Sequence, residues 1–305
     1  MTEEHHMLYD SASRFFKEQW APKDEAWRAA GMMDREAWNE AGAHGFLCAS
    51  MPQQYGGAGG DFGHEAVLIL AQGAANVSGF GGSLHSGIVA PYILHHGTEE
   101  QKQRWLPKMA TGELIGAIAM TEPGTGSDLQ AIRTSAKRGL DGAGDHYVLN
   151  GQKTFITNGG NANLIIVACR TGGEGSKGMS LLVVETEHAQ GFRRGRLLDK
   201  IGMKSQDTAE LFFNAVKVPK ANQLGEAGKG REALDLLDAV SGEVAGWAAE
   251  LRRTIVSRWL PAPVTPSSSR LPCRQRLLRV LLAHSPSPKP LPRLPMALLT
   301  LLPTA

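Results

Sequence analysis

Residues 119–128, AMTEPGTGSD, place two carboxylates, three hydroxyls and two glycines within ten positions, a stretch too short and too Gly-rich for a helix. Two chemistries suit it. Glu122-Pro123-Gly124 is sound turn material, because Pro fixes φ at the second position of a turn and Gly tolerates positive φ at the third. The same residues also suit a backbone cradle in which N–H groups and hydroxyls donate to a charged ligand. Glu122 and Asp128 fit the role of loop-fixing hydrogen-bond acceptors better than that of catalytic acids. Further along, KTFIT alternates so that Phe155 and Thr157 share one strand face and Ile156 takes the other. Taken alone, that pair is either a core aromatic with a surface hydroxyl, or an aromatic wall with a donor beside it.

Other features carry less. The pairs His5-His6 and His95-His96 are adjacent, so their side chains diverge, and with no second ligand cluster in sight no metal site is expected. GEAGKG, residues 225–230, lacks the GxxxxGK[ST] spacing of a phosphate loop and does not follow a buried strand. No GxGxxG opens a helix after a strand, which argues against a nicotinamide-binding fold.

The elements that would position these residues have two textures. Up to residue 113 the apolar spacing is helical, with Leu8, Ala12, Phe15, Phe16 and Trp20 on one stripe. Asp34 is placed to cap REAWNEAG. Thr98 opens TEEQKQRW with Gln101 three residues on, a capping box, and Gly97 ends the helix before it. From residue 114 to 222 the pattern is of strands: GAIAMT, HYVLN, KTFIT, NLIIVAC, MSLLVVET and AELFFNAVKV. Asn150-Gly151 between two of these predicts a two-residue hairpin turn. Residues 223–250 look helical again, with Leu234, Leu237 and Val240 as apolar positions. The expected fold is α+β: a helical N-terminal domain, a middle β-barrel or sandwich, and the start of a C-terminal helical domain.

Composition sets the outer limits. The 305 residues are 42% hydrophobic and include 36 Gly, enough apolar mass for about two domains. Three scattered cysteines, Cys48, Cys169 and Cys273, offer no disulfide framework, which together with an N-terminus unlike a signal peptide predicts a cytoplasmic protein. No apolar run is long enough for a membrane span. The net charge of +2 hides an asymmetry: the first 250 residues carry 23 basic and 30 acidic groups, while nine basic residues and no acid follow Glu250. That basic stretch has neither the texture of a solvating arm nor the period of an amphipathic helix, so no nucleic-acid partner is expected. From Pro261 it holds ten of the 16 prolines and none of the glycines, which prevents helix or sheet from propagating. Residues 251–305 therefore read as an aberrant, unstructured Pro/Arg/Leu-rich tail, of the kind a GC-rich gene yields in a wrong frame.

Four separated blocks, GAIAMTEPGTGSDLQ, NGQKTFITNGG, HSGIVAPYI and KIGMKSQDTAELFFNAVKVP, resemble the acyl-CoA dehydrogenases, most closely the long-chain members. The resemblance covers about the first 230 residues. It implies FAD as cofactor, with contacts from Met120, Thr121, Gly126, Ser127, Phe155, Ile156 and Thr157. Thr121 would face the pyrimidine end of the flavin, Phe155 would stack on the ring system and Thr157 would lie near its hydride-accepting N5. Gly124 and Gly126 would let the backbone come close. Ser127 and Ser176 would meet the acyl-CoA. The implied reaction is α,β-dehydrogenation of a fatty acyl-CoA thioester to the trans-2-enoyl product, with electrons passed to an electron-transfer flavoprotein and the subunits assembled as a tetramer.

One departure matters more than any substitution. In long-chain relatives the base glutamate follows the Lys-Gly equivalent to Lys229-Gly230 by a little over ten residues, before an Arg-Leu pair. Here the text is REALDLLDAVSGEVAGW, in which Glu243 precedes Val244. No catalytic base is assigned, and the chain as written is expected to be a truncated or misframed, inactive form. The alternative is a non-catalytic protein that uses its β domain for FAD, acyl-CoA or subunit contacts.

Overall fold

A computed structural model describes residues 1–126, 128–141, 144–173 and 178–228. Of the expected C-terminal helical start, residues 223–228 are described and hold the short strand Gln223–Leu224 in place of helix; the rest of it and the tail lie outside the described residues. The chain opens with α1 (Glu3–Phe15), α2 (Asp24–Ala30), α3 (Arg35–Ala43) and α4 (Phe62–Ala74). A helical run follows, from α5 (Gly82–Leu84) through a π-helical turn (His85–Val89) into α6 (Ala90–His96), and then α7 (Glu99–Ala110). The strands are β1 (Gly116–Ala119), β2 (Ser135–Asp141), β3 (Gly144–Thr157), β4 (Leu164–Arg170), β5 (Met179–Glu185), β6 (Phe192–Leu197), β7 (Thr208–Pro219) and β8 (Gln223–Leu224). They form one sheet in the order β6-β7-β3-β2-β4-β5-β8, with β1 pairing parallel to β4.

Local chemistry accounts for the helix ends. The Thr98 hydroxyl accepts from the Gln101 N–H while Gln101 Oε1 accepts from the Thr98 N–H at 2.9 Å, the capping box expected from the sequence, and α6 stops before Gly97. Asp34 does sit at the N-cap of α3, but its side chain makes no capping bond. It accepts instead from the Trp27 indole N–H at 2.8 Å, because a buried indole has few other partners. On the α1 stripe, Ala12, Phe16 and Trp20 are fully buried, and Leu8 and Phe15 pack against the same core.

β4 joins the two halves. LIIVAC is buried on both faces, as a central strand paired in parallel is. Ile165, Val167 and Cys169 enter a core shared with the aromatic cluster of α1 to α3, whereas Leu164, Ile166 and Ala168 pack with Ile93, Trp105 and Met109 of α6 and α7. His85 stitches the junction: its Nε2–H donates to the Met109 carbonyl at 3.0 Å and its Nδ1 accepts from the Gly116 N–H at 2.9 Å. Burial pushes its pKa down to about 4, so it is a neutral, fully used core histidine.

The hairpin expected at Asn150-Gly151 is not formed. HYVLN and KTFIT are halves of one strand, β3, and the irregularity at Gly151 is a shift of register against β7. Asn150 Oδ1 accepts from the Ala215 N–H at 2.8 Å across that bulge. Glycine is needed because β2 passes close by: a Cβ at Gly151 would press into the Thr134 side chain, within 2.7 Å of its Cα. β2 and β6, which the sequence reading passed over, are SAKRGLD and FRRGRL, polar segments paired with the longer apolar strands.

Two alanines separate these roles of glycine. Gly151→Ala is expected to destabilise the fold by about 1–3 kcal/mol through overpacking at the bulge. Gly73→Ala, on the exposed side of α4 with no atom within 4 Å of its new Cβ, should stabilise by up to about 1 kcal/mol. Equal denaturation midpoints for the parent and Gly151→Ala would contradict the bulge packing.

Candidate functional site

β1 ends at Ala119, and the next residues leave the sheet beside the C-terminal half of β3. What holds them there is a buried ion pair. The Lys153 side chain is 0% exposed, and its Nζ donates to the Met120 carbonyl at 2.8 Å and to Glu122 Oε1 at 3.0 Å. A buried ammonium is tolerated only when paired and hydrogen-bonded. The Glu122 carboxylate is equally saturated, accepting from the Thr134 N–H at 2.9 Å and the Arg133 N–H at 2.7 Å as well. Burial would raise its pKa, but the hydrogen bonds of Thr134 and Arg133 and the charge of Lys153 outweigh that and hold it below the usual carboxylate range. Burial lowers Lys153, against the attraction of Glu122.

Within this clamp, Glu122 and Thr125 exchange backbone hydrogen bonds of 2.9 and 3.0 Å and close the turn over Pro123-Gly124. Thr125 Oγ1 donates to the Ala131 carbonyl, and Asp128 Oδ1 accepts from the Gln130 N–H at 3.1 Å. Both acids of the stretch therefore fix the loop, the role their turn context assigns them. Turn and cradle are not alternatives here. The turn is what rigidifies the backbone from Met120 to Gly126.

Opposite, β3 ends in an unusual conformation. The Thr154 N–H donates to the Thr121 carbonyl at 3.0 Å, tying strand to loop, and register slips again between Lys153 and Ile156. At the slip Phe155 adopts φ 58° with its ring 67% exposed, while Ile156 is buried in the core. A left-handed bulky residue costs about 1–2 kcal/mol, and exposing its ring forgoes burial as well. Thr157 is half-buried next to it. The turn that follows is fixed by buried groups: Asn158 Nδ2 donates to the carbonyls of Gly81 and Gly116, and Asp207 accepts from the N–H groups of Gly160 at 2.7 Å and Asn161 at 3.1 Å.

The structure thus ties Met120 and Thr121 to Lys153 and Thr154, the residues just before Phe155 and Thr157 on β3, while Gly126 lies at the far end of the turn. Ile156 belongs to the core through its side chain, leaving only its backbone for a ligand. Neither Gly124 nor Gly126 has positive φ, and a Cβ on either would meet no protein atom within 4 Å. Nothing in the described chain requires glycine there. Space beside them together with an outward aromatic ring suits a flat aromatic ligand with polar edges. Ser127, Ser176 and Glu243 lie outside the described residues. Lys153, Asn158 and Asp207 were not singled out from the sequence, since a lysine within a strand reads as solvent-facing and nothing local marks its partner.

The family model for the acyl-CoA dehydrogenase N-terminal domain matches residues 2–113, and that for the acyl-CoA dehydrogenase middle domain matches residues 117–216. The chain is 47% identical over 230 residues to the mitochondrial long-chain specific acyl-CoA dehydrogenase of Rattus norvegicus, an alignment covering 74% of this chain and 52% of that protein. It spans about half the length of the curated relatives it matches. Among solved structures it is similar to an acyl-CoA dehydrogenase from Geobacillus kaustophilus, with a TM-score of 0.75 and 42% identity over 92% of this chain and 75% of that one. It is also similar to one from Bacillus anthracis complexed with FAD, with a TM-score of 0.69 and 34% identity over 77% of this chain and 39% of that one.

Removing one partner of the clamp should be costly. Lys153→Met is expected to destabilise by about 3–5 kcal/mol, as breaking a buried pair does, and Glu122→Gln added to it should recover part of the loss. Because Glu122 is depressed in the fold, its contribution is complete above the ordinary Glu pKa of about 4.3 and is lost as pH falls through the lower folded value. Acid titration of Glu122→Gln should lack that step. A parent-like stability of Lys153→Met would show the pair to be energetically idle.

Proposed function

The chain belongs to the acyl-CoA dehydrogenase family, and from that premise we propose that its described residues form the flavin-facing half of a site for α,β-dehydrogenation of fatty acyl-CoA thioesters. The observation that carries this reading is Phe155, a strained and exposed aromatic ring set beside Thr157 and across from a rigid, glycine-lined loop. Strain of this kind persists where the surrounding structure over-determines it, and it concentrates at ligand sites. The residues fit FAD: Phe155 offers a face to the ring system, Thr157 a hydroxyl, and Thr121 a second hydroxyl on a turn-fixed backbone at its polar edge.

Bound FAD would supply the two-electron acceptor for the hydride lost from the substrate Cβ. The chain's own task is to hold donors where negative charge gathers on reduction, without reorganising them during the reaction. The clamp through Lys153 and Glu122 serves that end by fixing the Met120 carbonyl and the turn after it. Glu122 is not a candidate base, because both its oxygens already accept hydrogen bonds. No catalytic base is assigned: Glu243 stands near the family's position but precedes Val244 in place of the Arg-Leu pair, which is why this chain is expected to be inactive. The similarity to the rat long-chain enzyme supports a long-chain acyl substrate, and the family resemblance supports an electron-transfer flavoprotein as acceptor of the electrons.

Two measurements test this reading. Phe155→Gly should stabilise the fold by about 1–2 kcal/mol, the strain of a left-handed bulky residue. It should also weaken FAD binding by about tenfold, as loss of an aromatic contact worth about 1.4 kcal/mol would. A stability gain with unchanged FAD affinity would remove Phe155 from the site. The 305-residue chain with excess FAD is expected to reduce no dye with saturated acyl-CoA thioesters. Turnover of order 1 s⁻¹ or more, lost in Glu243→Gln, would show instead that Glu243 serves as base.

A further inference from the structure

On α1 and at the start of α4, far in sequence from the loop at 120–126, three metal-ligand atoms converge. His5 Nε2 lies 3.0 Å from Asp61 Oδ1 and 3.2 Å from His64 Nδ1, and His64 Nδ1 lies 2.9 Å from the same Asp61 oxygen. Among the described residues this is the one group of three His, Cys, Asp or Glu whose ligand atoms lie mutually close. It overturns the reading that the histidines of the N-terminal segment lack a second ligand cluster. His5 and His6 do part company, but α1 packs along α4 and carries His5 to a partner pair 56 and 59 residues away.

The Thr2 N–H donates to His5 Nδ1 at 3.1 Å, so the neutral ring carries its proton on Nε2, where it is shared between Asp61 and His64. The Asp61 N–H donates to His64 Nδ1 at 3.0 Å, so that nitrogen presents a lone pair toward the Asp61 carboxylate. With neutral rings, two imidazole nitrogens and a carboxylate oxygen thus converge within 3.2 Å of one another.

We propose that His5 Nε2, His64 Nδ1 and Asp61 Oδ1 bind a divalent transition-metal ion of the zinc class that fastens α1 to the N-terminus of α4. Donors about 2.0–2.2 Å from one ion, at angles between octahedral and tetrahedral, stand roughly 2.9–3.5 Å apart, which matches all three separations. Two imidazoles and one carboxylate favour zinc, cobalt or nickel over magnesium or calcium, which prefer all-oxygen shells. The ion replaces the shared proton. His5 then takes its other tautomer, its Nδ1–H donating to Thr2 Oγ1, which stands 3.1 Å away and orients the ring as outer-shell partners of metal histidines do. The Thr2 N–H that His5 then releases and the Asp61 N–H that His64 releases find water, since both residues are exposed. Two helix N-termini meet here, and their dipoles oppose a cation. Asp61 itself, Glu3 and Glu4 in the first turn of α1, and Glu65 in that of α4 supply the opposing charge. The fourth position, on the exposed side of Asp61, is left to solvent.

The test is a cobalt(II) titration of the tag-free 305-residue chain, followed by visible absorbance and repeated with zinc competition. The expected result is one equivalent of cobalt with a nitrogen–oxygen ligand-field spectrum, displaced by zinc, and a rise in melting temperature with either ion. His5→Gln, His64→Gln and Asp61→Asn should each abolish the spectrum while far-UV circular dichroism stays native. Thr2→Ala should weaken binding by roughly 10–100-fold, the loss of an outer-shell partner, and His6→Gln should leave it unchanged. An absent spectrum in the parent, or one that survives in any of the three ligand variants, would overturn the proposal. If a ligand variant does not fold, the Thr2→Ala and His6→Gln pair decides: equal affinities in those two would also overturn it.

Discussion

A lysine buried to 0% exposure can stay charged only if its surroundings are built around it, and in this protein much of the candidate site is built around Lys153. Its ammonium joins three segments remote in sequence: the exit of β1 through the Met120 carbonyl, the turn through Glu122, and β3 through its own backbone. Glu122 extends the connection to a fourth, the approach to β2, through the N–H groups of Arg133 and Thr134. Because each of these groups would be unsatisfied without the others, the loop has one arrangement and little freedom to leave it. A buried pair of this kind contributes modestly to net stability but strongly to uniqueness, and uniqueness is what a preorganised site requires.

The end of β3 shows the opposite balance. Between the buried Lys153 and the buried Ile156 the strand turns one bulky ring outward in a left-handed conformation, giving up both backbone comfort and hydrophobic burial. The elements around it are the rigid ones. Asn158 is bonded to the carbonyls of Gly81 and Gly116, Asp207 gathers the N–H groups of the following turn, and Thr154 is tied to Thr121. The local free energy lost at Phe155 is thus supported by satisfied polar groups on every side, which is the arrangement expected where a ligand face and not the core decides the side chain.

Much of this was legible in the sequence. The apolar stripe of α1, the Thr98–Gln101 capping box and the apolar strand run of β4 are local patterns, and a local pattern needs no knowledge of the fold. The loop-fixing roles of Glu122 and Asp128 followed from turn chemistry for the same reason. What escaped was set by distant partners. Asn150-Gly151 has hairpin chemistry, yet the glycine answers to Thr134 just before the neighbouring strand β2. Asp34 has capping chemistry, yet Trp27 claims it. SAKRGLD and FRRGRL lack strand periodicity because they are held mainly by longer neighbours, and neither Lys153 with Glu122 nor His5 with Asp61 and His64 leaves a mark at short range.

The clamp is not itself placed on the face proposed for FAD, yet it fixes the loop that borders it. The direct measurement is the FAD dissociation constant in a double-mutant cycle of Lys153→Met and Thr157→Val, each variant first shown to be folded by circular dichroism. Lys153→Met is expected to weaken FAD binding while the fold persists, and the two substitutions to be non-additive by about 0.5–3 kcal/mol, as coupled sites are. A folded Lys153→Met with the parent's FAD affinity, or strict additivity of the pair, would contradict this coupling.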